Sequence, residues 1–449
     1  MSAIRVSRRD FLKVSATVAA SAVLGACTPA SPSPAPTTAA TSGPVATAAP
    51  TAAPEVVNLE FWNGDPVDYQ LGYNLITDAW NAANPGIQVE VKNAPGGGLD
   101  DKLAIMIAGG VGPDVWMAIP TPSQARLGHF ADLSGYLSGD GIDPASTWFE
   151  VAWKPRQWEG KTYMVPRDVG WAAMAYNKDI FDELGVAYPT DDWTVEQFLE
   201  TALATTDEAK GYWGTNFSGA GTLLWFGSIG FNMGFQANSV DGRQCQGLLD
   251  SPESIAAIQF MLDLEDVHHV APTAAAVEAL GNGFLSGKVA IGDTSTWGLK
   301  DQREAPFNWG LVQQPSMEGR QEYSWGGAPQ FIMWSGAEKK DQIWQFMKYA
   351  STDGSRLPHE AGQWQSPMPA VWEAVGDNQD PILNFYLEYA KLPTDSPPYE
   401  REQFWESVGT PYFDIWTRYL ENEERPLGDI VADAAATAQS ALDDAFATS

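Results

Sequence analysis

The side chains most suggestive of chemistry in this sequence are its 19 tryptophans. Some of them fall beside Gly, Asn, Asp or Pro, where hydrophobic cores are seldom built. A sugar ring has an apolar C–H face that a flat aromatic ring can cover and a hydroxyl edge that polar side chains can bind. Tryptophans set among polar residues therefore point to a carbohydrate ligand.

The familiar catalytic motifs are absent from the sequence. It contains no P-loop, no H-E-x-x-H and no G-x-S-x-G pattern. The glycine run at 96–98 precedes a predicted helix, but Asp100 and Asp101 place carboxylates where a phosphate would bind. Glycoside hydrolysis needs only two carboxylates at a suitable separation, and the chain has 57 acidic residues. We therefore expect a binding protein with no catalytic residue and no cofactor, and keep a secreted carbohydrate-active hydrolase as the alternative.

The first 27 residues predict export and lipid anchoring. Four basic residues precede an uncharged, mostly apolar stretch at 14–26, which suits a signal-peptide core and is too short to span a bilayer. Residues 7–13 resemble a twin-arginine export signal, and residues 24–27 resemble a bacterial lipobox. The signal (1–27) should end at Cys27, whose acylated thiol would hold the protein on the outer face of the bacterial cytoplasmic membrane.

The remainder of the chain divides into a tether and a large body. Residues 28–54 carry no charge and are nearly all Ala, Thr, Pro and Ser. Such a stretch cannot bury enough apolar surface to offset its ordering entropy, so it predicts a disordered tether. The body begins near Glu55 and is too long for one hydrophobic core, which predicts two lobes.

Cysteine, histidine and charge restrict the possible partners. With Cys27 acylated, Cys245 is the only remaining thiol, so neither an intramolecular disulfide nor a cysteine-based metal site is expected. His268 and His269 are adjacent and would point in different directions on a helix, so we predict no metal site there. The net charge of −31 makes nucleic acid a poor partner. It suits a cationic ligand, and equally an adaptation for solubility or salt.

The hydrophobic pattern after Val56 predicts an α/β lobe. Val57, Leu59 and Phe61 alternate with polar residues as in a strand, and a helical pattern from Tyr69 to Ala83 follows. Further along, residues 87–91 read as a strand, 99–108 as a helix and 114–117 as a short buried strand. This β-α-β-α-β order predicts parallel strands joined by crossover helices.

Six segments, in order, resemble the family 1 extracellular solute-binding proteins, which are maltose-binding-like components of ABC importers. They are Leu59–Trp62, Trp80–Ile87, Lys102–Met117, Gly160–Phe181, Phe284–Ile291 and Gly326–Ala350. The resemblance covers most of the chain from about Val56 and implies an α/β fold of the type II periplasmic-binding-protein class, with a ligand cleft between two lobes that close like a hinge. It implies an N-terminal lobe of 55–166 plus about 288–334, and a C-terminal lobe of about 167–287 plus 335–449.

The resemblance also implies which polar residues face the cleft. Asn63 and Asp65 follow the first strand of the N-terminal lobe. Asp114 is expected at the end of its own strand, where ligands bind in such sheets. Asp168 follows the proline after the crossing strand, where it would accept two sugar hydroxyls or, alternatively, cap a turn.

Four tryptophans and a glycine complete the implied site. Trp225 lies where the family often has an aromatic platform, although core packing fits equally well. Trp297 occupies a recurrent tryptophan position and is expected to stack on the ligand. Trp325 precedes a glycine pair ending at Gly327, which would let the backbone approach the ligand closely. Trp364 lies in a stretch where relatives often carry an arginine, and the missing arginine argues against a phosphate or carboxylate ligand.

Together, the residues and the resemblance predict an extracytoplasmic, lipid-anchored, monomeric binding protein. Its expected ligand is a carbohydrate, a di- or oligosaccharide, and its expected partners are the transmembrane permease subunits of an ABC importer. In the same fold, glycerol phosphate or a cationic solute is the nearest alternative ligand.

Overall fold

The computed structural model of the protein is described over 56–448, apart from 95–97, 119–124, 218–227, 240, 274–275, 277–279, 281–282, 321–322, 396–408, 410, 412–413 and 416–424. The predicted signal and tether, with Cys27, lie outside the described residues, and so does Trp225.

The strands form two mixed sheets and a small hairpin. They are β1 Val57–Asn63, β2 Ile87–Asn93, β3 Val115–Ala118, β4 Gln157–Trp158, β5 Lys161–Thr162, β6 Met164–Pro166, β7 Gly170–Asn177, β8 Trp213–Thr215, β9 Val289–Ser295, β10 Trp309–Val312, β11 Ser324–Gly327, β12 Gln330–Met333 and β13 Thr394–Asp395. The first sheet has the order β2-β1-β3-β12-β6. The second has the order β13-β11-β7-β9-β8, with β10 also paired to β7, while β4 and β5 form the hairpin.

Helices cover both sheets. They are α1 Gln70–Ala83, α2 Gly98–Ala108, α3 Ser134–Gly139, α4 Pro144–Thr147, α5 Glu150–Trp153, α6 Lys178–Leu184, α7 Val195–Thr205, α8 Ser228–Asn232, α9 Pro252–Asp266, α10 Leu299–Gln302, α11 Lys340–Ser351, α12 Arg356–Glu360, α13 Pro369–Val375, α14 Pro381–Tyr389 and α15 Leu427–Thr448. Short 3-10 turns include Val67–Tyr69 and Thr296–Gly298. None of the helices in the described part of the chain is long and apolar enough to cross a membrane.

The local sequence accounts for the start of the fold. β1 buries Leu59 and Phe61 on one face, and α1 buries Tyr73 and Ile76 against the same core. β1 pairs in parallel with both β2 and β3. The β-α-β-α-β order predicted from alternation is therefore confirmed, because parallel neighbours need a crossover between them.

The lobe boundaries differ from those expected. β9, β10 and β11 lie in the second sheet, with β9 antiparallel to β7, so 288–334 is not an N-terminal-lobe insertion. Among the described strands of this range, only β12 returns to the first sheet. The expected assignment of all of 335–449 to the C-terminal lobe is also wrong. Helices α11, α13 and α14 pack into the first-sheet core, whereas α15 packs into the second.

Each sheet has its own hydrophobic core. The first-lobe core joins β1, β3 and β12 to α1, α11, α13 and α14. The second-lobe core joins Ala172 and Met174 of β7 and Ala290 and Ile291 of β9 to α6, α7, α9 and α15. The chain is thus an α/β protein of two lobes, and any site formed between them depends on the segments that pass from one sheet to the other.

Candidate functional site

Two connecting segments run side by side between the sheets. β6 ends at Pro166 in the first sheet and β7 begins at Gly170 in the second, while β11 ends at Gly327 and β12 begins at Gln330. The two segments are antiparallel. Gly327 pairs with Gly170 in the second sheet, and Gln330 pairs with Pro166 in the first sheet. We call this region the junction.

A charged cluster lies in the first connecting segment. The Arg167 guanidinium binds Asp65 and the Tyr73 hydroxyl through Nη1, and binds Asp168 Oδ2 through Nη2 at 2.6 Å. The Tyr73 hydroxyl also donates to Asp65 Oδ2 at 2.7 Å. The side chains of Arg167 and Asp168 are only 4% and 6% exposed. Asp65, which follows β1, is thereby tied to the segment that leads into the second sheet.

Aromatic rings surround the guanidinium. Its central carbon lies 4.6 Å from the Trp364 ring centre, 5.4 Å from that of Tyr73 and 6.0 Å from that of Tyr69. Tyr69 and Trp364 are nearly parallel, with their planes 13° apart. Cation–π contacts of this kind stabilise a buried guanidinium in addition to its ion pairs.

Burial changes the acid–base properties of the cluster. It raises the pKa of Asp168 to about 6, although the Arg167 guanidinium opposes the shift. Burial likewise raises the pKa of Tyr69 to about 12 and that of Tyr73 well above its usual value. Burial by itself would lower the pKa of Arg167, but the charges of Asp168 and Asp65 outweigh it and hold that pKa well above its usual value.

Two polar atoms of the cluster remain without a hydrogen bond to any described residue. They are Arg167 Nε, a donor, and Asp168 Oδ1, an acceptor, and both are buried. Because Arg167 Nη2 binds the other oxygen of the same carboxylate, the two atoms belong to one ion pair. A buried donor or acceptor without a partner costs free energy, so these two atoms lower the stability that the ion pair contributes.

Trp297 and Trp325 lie on the second-sheet side of the junction. Their rings contact edge to face, with centres 5.8 Å apart. Trp297 is half-buried in the turn after β9, and its backbone carbonyl accepts a hydrogen bond from the Tyr69 hydroxyl at 3.4 Å. Its ring also lies against Gly170, where an added Cβ would be 2.6 Å from Trp297 Cε3. Tyr69 and Gly170 thus link Trp297 to the charged cluster.

Asn63 and Trp364 have supporting positions. Asn63 is buried at the end of β1, where its Oδ1 accepts hydrogen bonds from Gln70 at 2.9 Å and Asn93 at 2.7 Å. It also accepts one from the backbone N–H of Asp65 at 3.3 Å. Trp364 is 1% exposed in the first-lobe core, with its ring against Gly72 of α1. Asn63 therefore orients the Asp65 loop, and the Trp364 ring packs against the Arg167 guanidinium.

The expectation for Asp114 is wrong. Asp114 precedes β3 instead of following it, so it lies at the opposite end of that strand from a ligand cleft. Its Oδ2 accepts a hydrogen bond from the backbone N–H of Glu60 at 2.9 Å and lies 4.0 Å from Lys339 Nζ. Its role is to join two neighbouring strands.

Arg167, Tyr69 and Tyr73 were missed by the sequence analysis. The two tyrosines have helical spacing and were read only as packing positions. A clue was present in Pro166-Arg167-Asp168, because a charged pair directly after a buried strand needs partners. No group of three or more potential metal ligands occurs among the described residues.

Comparison with known proteins identifies the family. Residues 63–356 match the family described as bacterial extracellular solute-binding protein, and residues 5–25 match the twin-arginine translocation signal sequence. The chain belongs to this solute-binding family and carries a twin-arginine export signal.

Individual relatives are more distant. The chain is 23% identical to a maltotriose-binding protein of Pyrococcus abyssi over 352 residues, which cover 75% of this chain and 72% of that protein. It is 24% identical to a putative binding protein of Brucella abortus over 295 residues, 62% of this chain and 67% of that one.

Solved structures share the fold. An ABC substrate-binding protein from Listeria monocytogenes in complex with cycloalternan has a TM-score of 0.72 and 21% identity, covering 88% of this chain and 100% of its own. The GacH receptor of Streptomyces glaucescens, solved unliganded and with acarbose, has a TM-score of 0.73 and 20% identity, covering 87% of this chain and 99% of its own. The two-lobe fold expected from the sequence is confirmed.

Proposed function

We propose that this protein captures a carbohydrate at the junction and delivers it to an ABC importer. The observation that carries the proposal is the half-buried Trp297 ring beside the Asp65–Arg167–Asp168 cluster. An aromatic face covers the C–H side of a pyranose, and a carboxylate with a guanidinium binds its hydroxyls. The junction thus offers both halves of a sugar-binding site.

The known relatives support a carbohydrate ligand and an importer. One is named for maltotriose, and two structural neighbours were solved with cycloalternan and with acarbose. The Listeria protein is described as an ABC substrate-binding protein. An exported chain of this family would hand its solute to transmembrane permease subunits.

We further propose that the protein performs no hydrolysis. A glycosidase needs one carboxyl group as acid and a second as nucleophile or base, one on each side of the scissile bond. At the junction, Asp65 and Asp168 are both paired with the same guanidinium. Because both carboxyl groups are paired with Arg167, neither is free to act as the acid on one side of a scissile bond while the other acts as the base.

Isothermal titration calorimetry with a panel of di- and oligosaccharides tests the proposal, with each sugar recovered and analysed afterwards. We expect saturable binding of at least one sugar, recovered intact. The appearance of new reducing ends would instead establish a hydrolase, and the absence of binding across the panel would contradict carbohydrate capture.

We also propose that Cys27 is lipidated and anchors the protein outside the cytoplasmic membrane. The support is the lipobox-like segment ending at Cys27, directly after the matched export signal. In cell fractionation, Cys27→Ser should move the protein from the membrane fraction to the soluble fraction. Cys245→Ser, at the other cysteine, is the matched control and should leave the protein with membranes.

A further inference from the structure

We infer that His359 is a positioning residue for solute binding, because it fixes a short segment that packs against Arg167 and Val169. The inference rests on the proposed function and adds to it a residue that does not touch the ligand. The segment is 364–367, between α12 and α13, and we call it the strap.

The strap contacts the first connecting segment of the junction at two positions. The Trp364 ring centre lies 4.6 Å from the central carbon of the Arg167 guanidinium. The Gln365 carbonyl accepts a hydrogen bond from the Val169 backbone N–H at 3.0 Å. Asp168 lies between these two contacts in the chain, so a displaced strap would move the groups that are proposed to bind the solute.

The next strap residue, Ser366, depends on His359. Ser366 is fully buried, and its backbone N–H donates to His359 Nδ1 at 3.1 Å. Its carbonyl accepts from Trp372 Nε1 at 2.7 Å, and its hydroxyl oxygen lies 2.6 Å from that of Ser355. Removing the imidazole nitrogen would leave the buried Ser366 N–H without its acceptor, which favours a displaced strap.

Asp377, just after α13, fixes the form of the imidazole. A ring nitrogen that accepts a hydrogen bond carries no proton, so the proton of the neutral ring is on Nε2. His359 Nε2 lies 2.8 Å from Asp377 Oδ2, and the two side chains are 4% and 12% exposed. Asp377 therefore selects the tautomer whose Nδ1 can accept from Ser366.

Protonation of the imidazole would remove this acceptor. Burial lowers the pKa of His359, although the charge of Asp377 opposes the shift, and burial raises the pKa of Asp377. The imidazole is therefore neutral at neutral pH and gains a proton only in acid. The other charged groups around the pair are Arg356, Glu360, Asp380, Arg303 and Lys300. His359 and Asp377 line a cavity of about 320 Å³, which gives the pair a route for proton exchange with solvent.

Two substitutions of His359 test the inference by calorimetry with a sugar that the wild type binds. His359→Leu removes the acceptor and should weaken binding at least about tenfold, because the buried Ser366 N–H loses its partner. His359→Asn places an amide oxygen near the position of Nδ1 and should keep Kd within about threefold of the wild-type value. Equal affinity of His359→Leu and wild type overturns the inference, and so does His359→Asn binding as weakly as His359→Leu.

Hydrogen exchange of the ligand-free protein separates this inference from the proposed function. The peptide that contains the Val169 N–H should exchange faster in His359→Leu than in wild type. In Trp80→Phe, a core substitution that lowers stability alone, it should exchange as slowly as in wild type. Equal exchange in all three proteins overturns the inference, whereas a wild type that binds no sugar contradicts the proposed function.

The pH dependence of binding decides the inference if His359→Leu does not fold. As the pH falls from 7 to well below 6.5, the ordinary pKa of the imidazole, Nδ1 gains a proton. The wild type should then weaken relative to His359→Asn, which has no imidazole. The ratio of the two Kd values cancels the titration of Asp168, which both proteins contain. A ratio that rises in acid supports the positioning role, and a ratio that does not change with pH overturns it.

Discussion

At the scale of single residues, Trp297 is proposed to bind ligand, whereas other tryptophans pack in a hydrophobic core. Trp297 is half-buried at the junction, whereas Trp80 of α1 lies in the first-lobe core against Phe346 and Tyr349. Both side chains are large and apolar, so their composition alone does not distinguish them. Their surroundings do distinguish them, and these surroundings predict that substituting each tryptophan will have a different effect.

Trp297→Ala should weaken ligand binding more than it weakens the fold. Truncating an aromatic anchor typically costs about 2 kcal/mol of binding free energy or more, which is roughly thirtyfold in Kd. Trp80→Phe is the control: it should lower the Tm and leave Kd unchanged. Calorimetry and thermal unfolding of both variants check this, and a Trp297→Ala protein with normal affinity and a lower Tm would place Trp297 in the core.

Asp168 should make the stability of the fold depend on pH. Its pKa is raised to about 6 by burial, above the ordinary value of 3.8, so between these values the folded state holds a proton that the unfolded state has lost. Protonation of Asp168 therefore stabilises the folded state fully below pH 3.8, and this stabilisation is lost as the pH rises through about 6. The difference corresponds to about 3 kcal/mol in unfolding free energy.

Denaturant unfolding of wild type and Asp168→Asn across pH 4–7 measures this effect. The wild-type stability, expressed relative to that of the isosteric variant, should fall as the pH rises. A difference that stays constant over this range would mean that Asp168 is ionised throughout and that burial does not control it.

At the scale of elements, the close approach of β7 to the Trp297 turn depends on Gly170. A Cβ at this position would lie 2.6 Å from Trp297 Cε3 and 3.0 Å from Thr296 Oγ1. Gly170→Ala should therefore displace the indole and reduce affinity, with an overpacking cost of about 1–3 kcal/mol in stability. In α3, Gly135→Ala is the control, because its Cβ would have no neighbour within 4 Å. Equal ligand affinity in both variants would show that the ring position does not matter.

Local patterns predicted β1, α1 and β2 because alternation and helical spacing are properties of short segments. The lobe assignment of 288–334 failed for the opposite reason. Whether β9 joins the first or the second sheet depends on its pairing with β7, more than 100 residues earlier in the chain, and nothing within β9 itself encodes that partner.

The same limit applies to the candidate site. Asp168 and Trp297 were predicted from their local context and the family resemblance, and both lie at the junction. Arg167 was missed because its importance comes from Asp65, a residue 102 positions away. Asp114 was assigned to the wrong end of its strand: it was expected at the carboxyl end, but β3 begins only at the next residue.

At the scale of the whole molecule, two α/β lobes meet at antiparallel connecting segments that also carry the charged cluster. A ligand bound there would contact the Asp65 loop of the first lobe and the Trp297 turn of the second together. Hinge closure around a solute is the motion that such an arrangement permits. Arg167 and Asp168 lie in one of the connecting segments itself, so the proposed binding groups and the proposed hinge share these residues.

The most direct test is small-angle X-ray scattering of wild type and Trp297→Ala, each titrated with sugar from none to saturation. A ligand held between the lobes should lower the radius of gyration of the wild type. In Trp297→Ala, higher sugar concentrations should be needed for the same decrease. An unchanged wild-type radius at saturation, with binding verified by calorimetry on the same sample, would contradict a site shared by the two lobes.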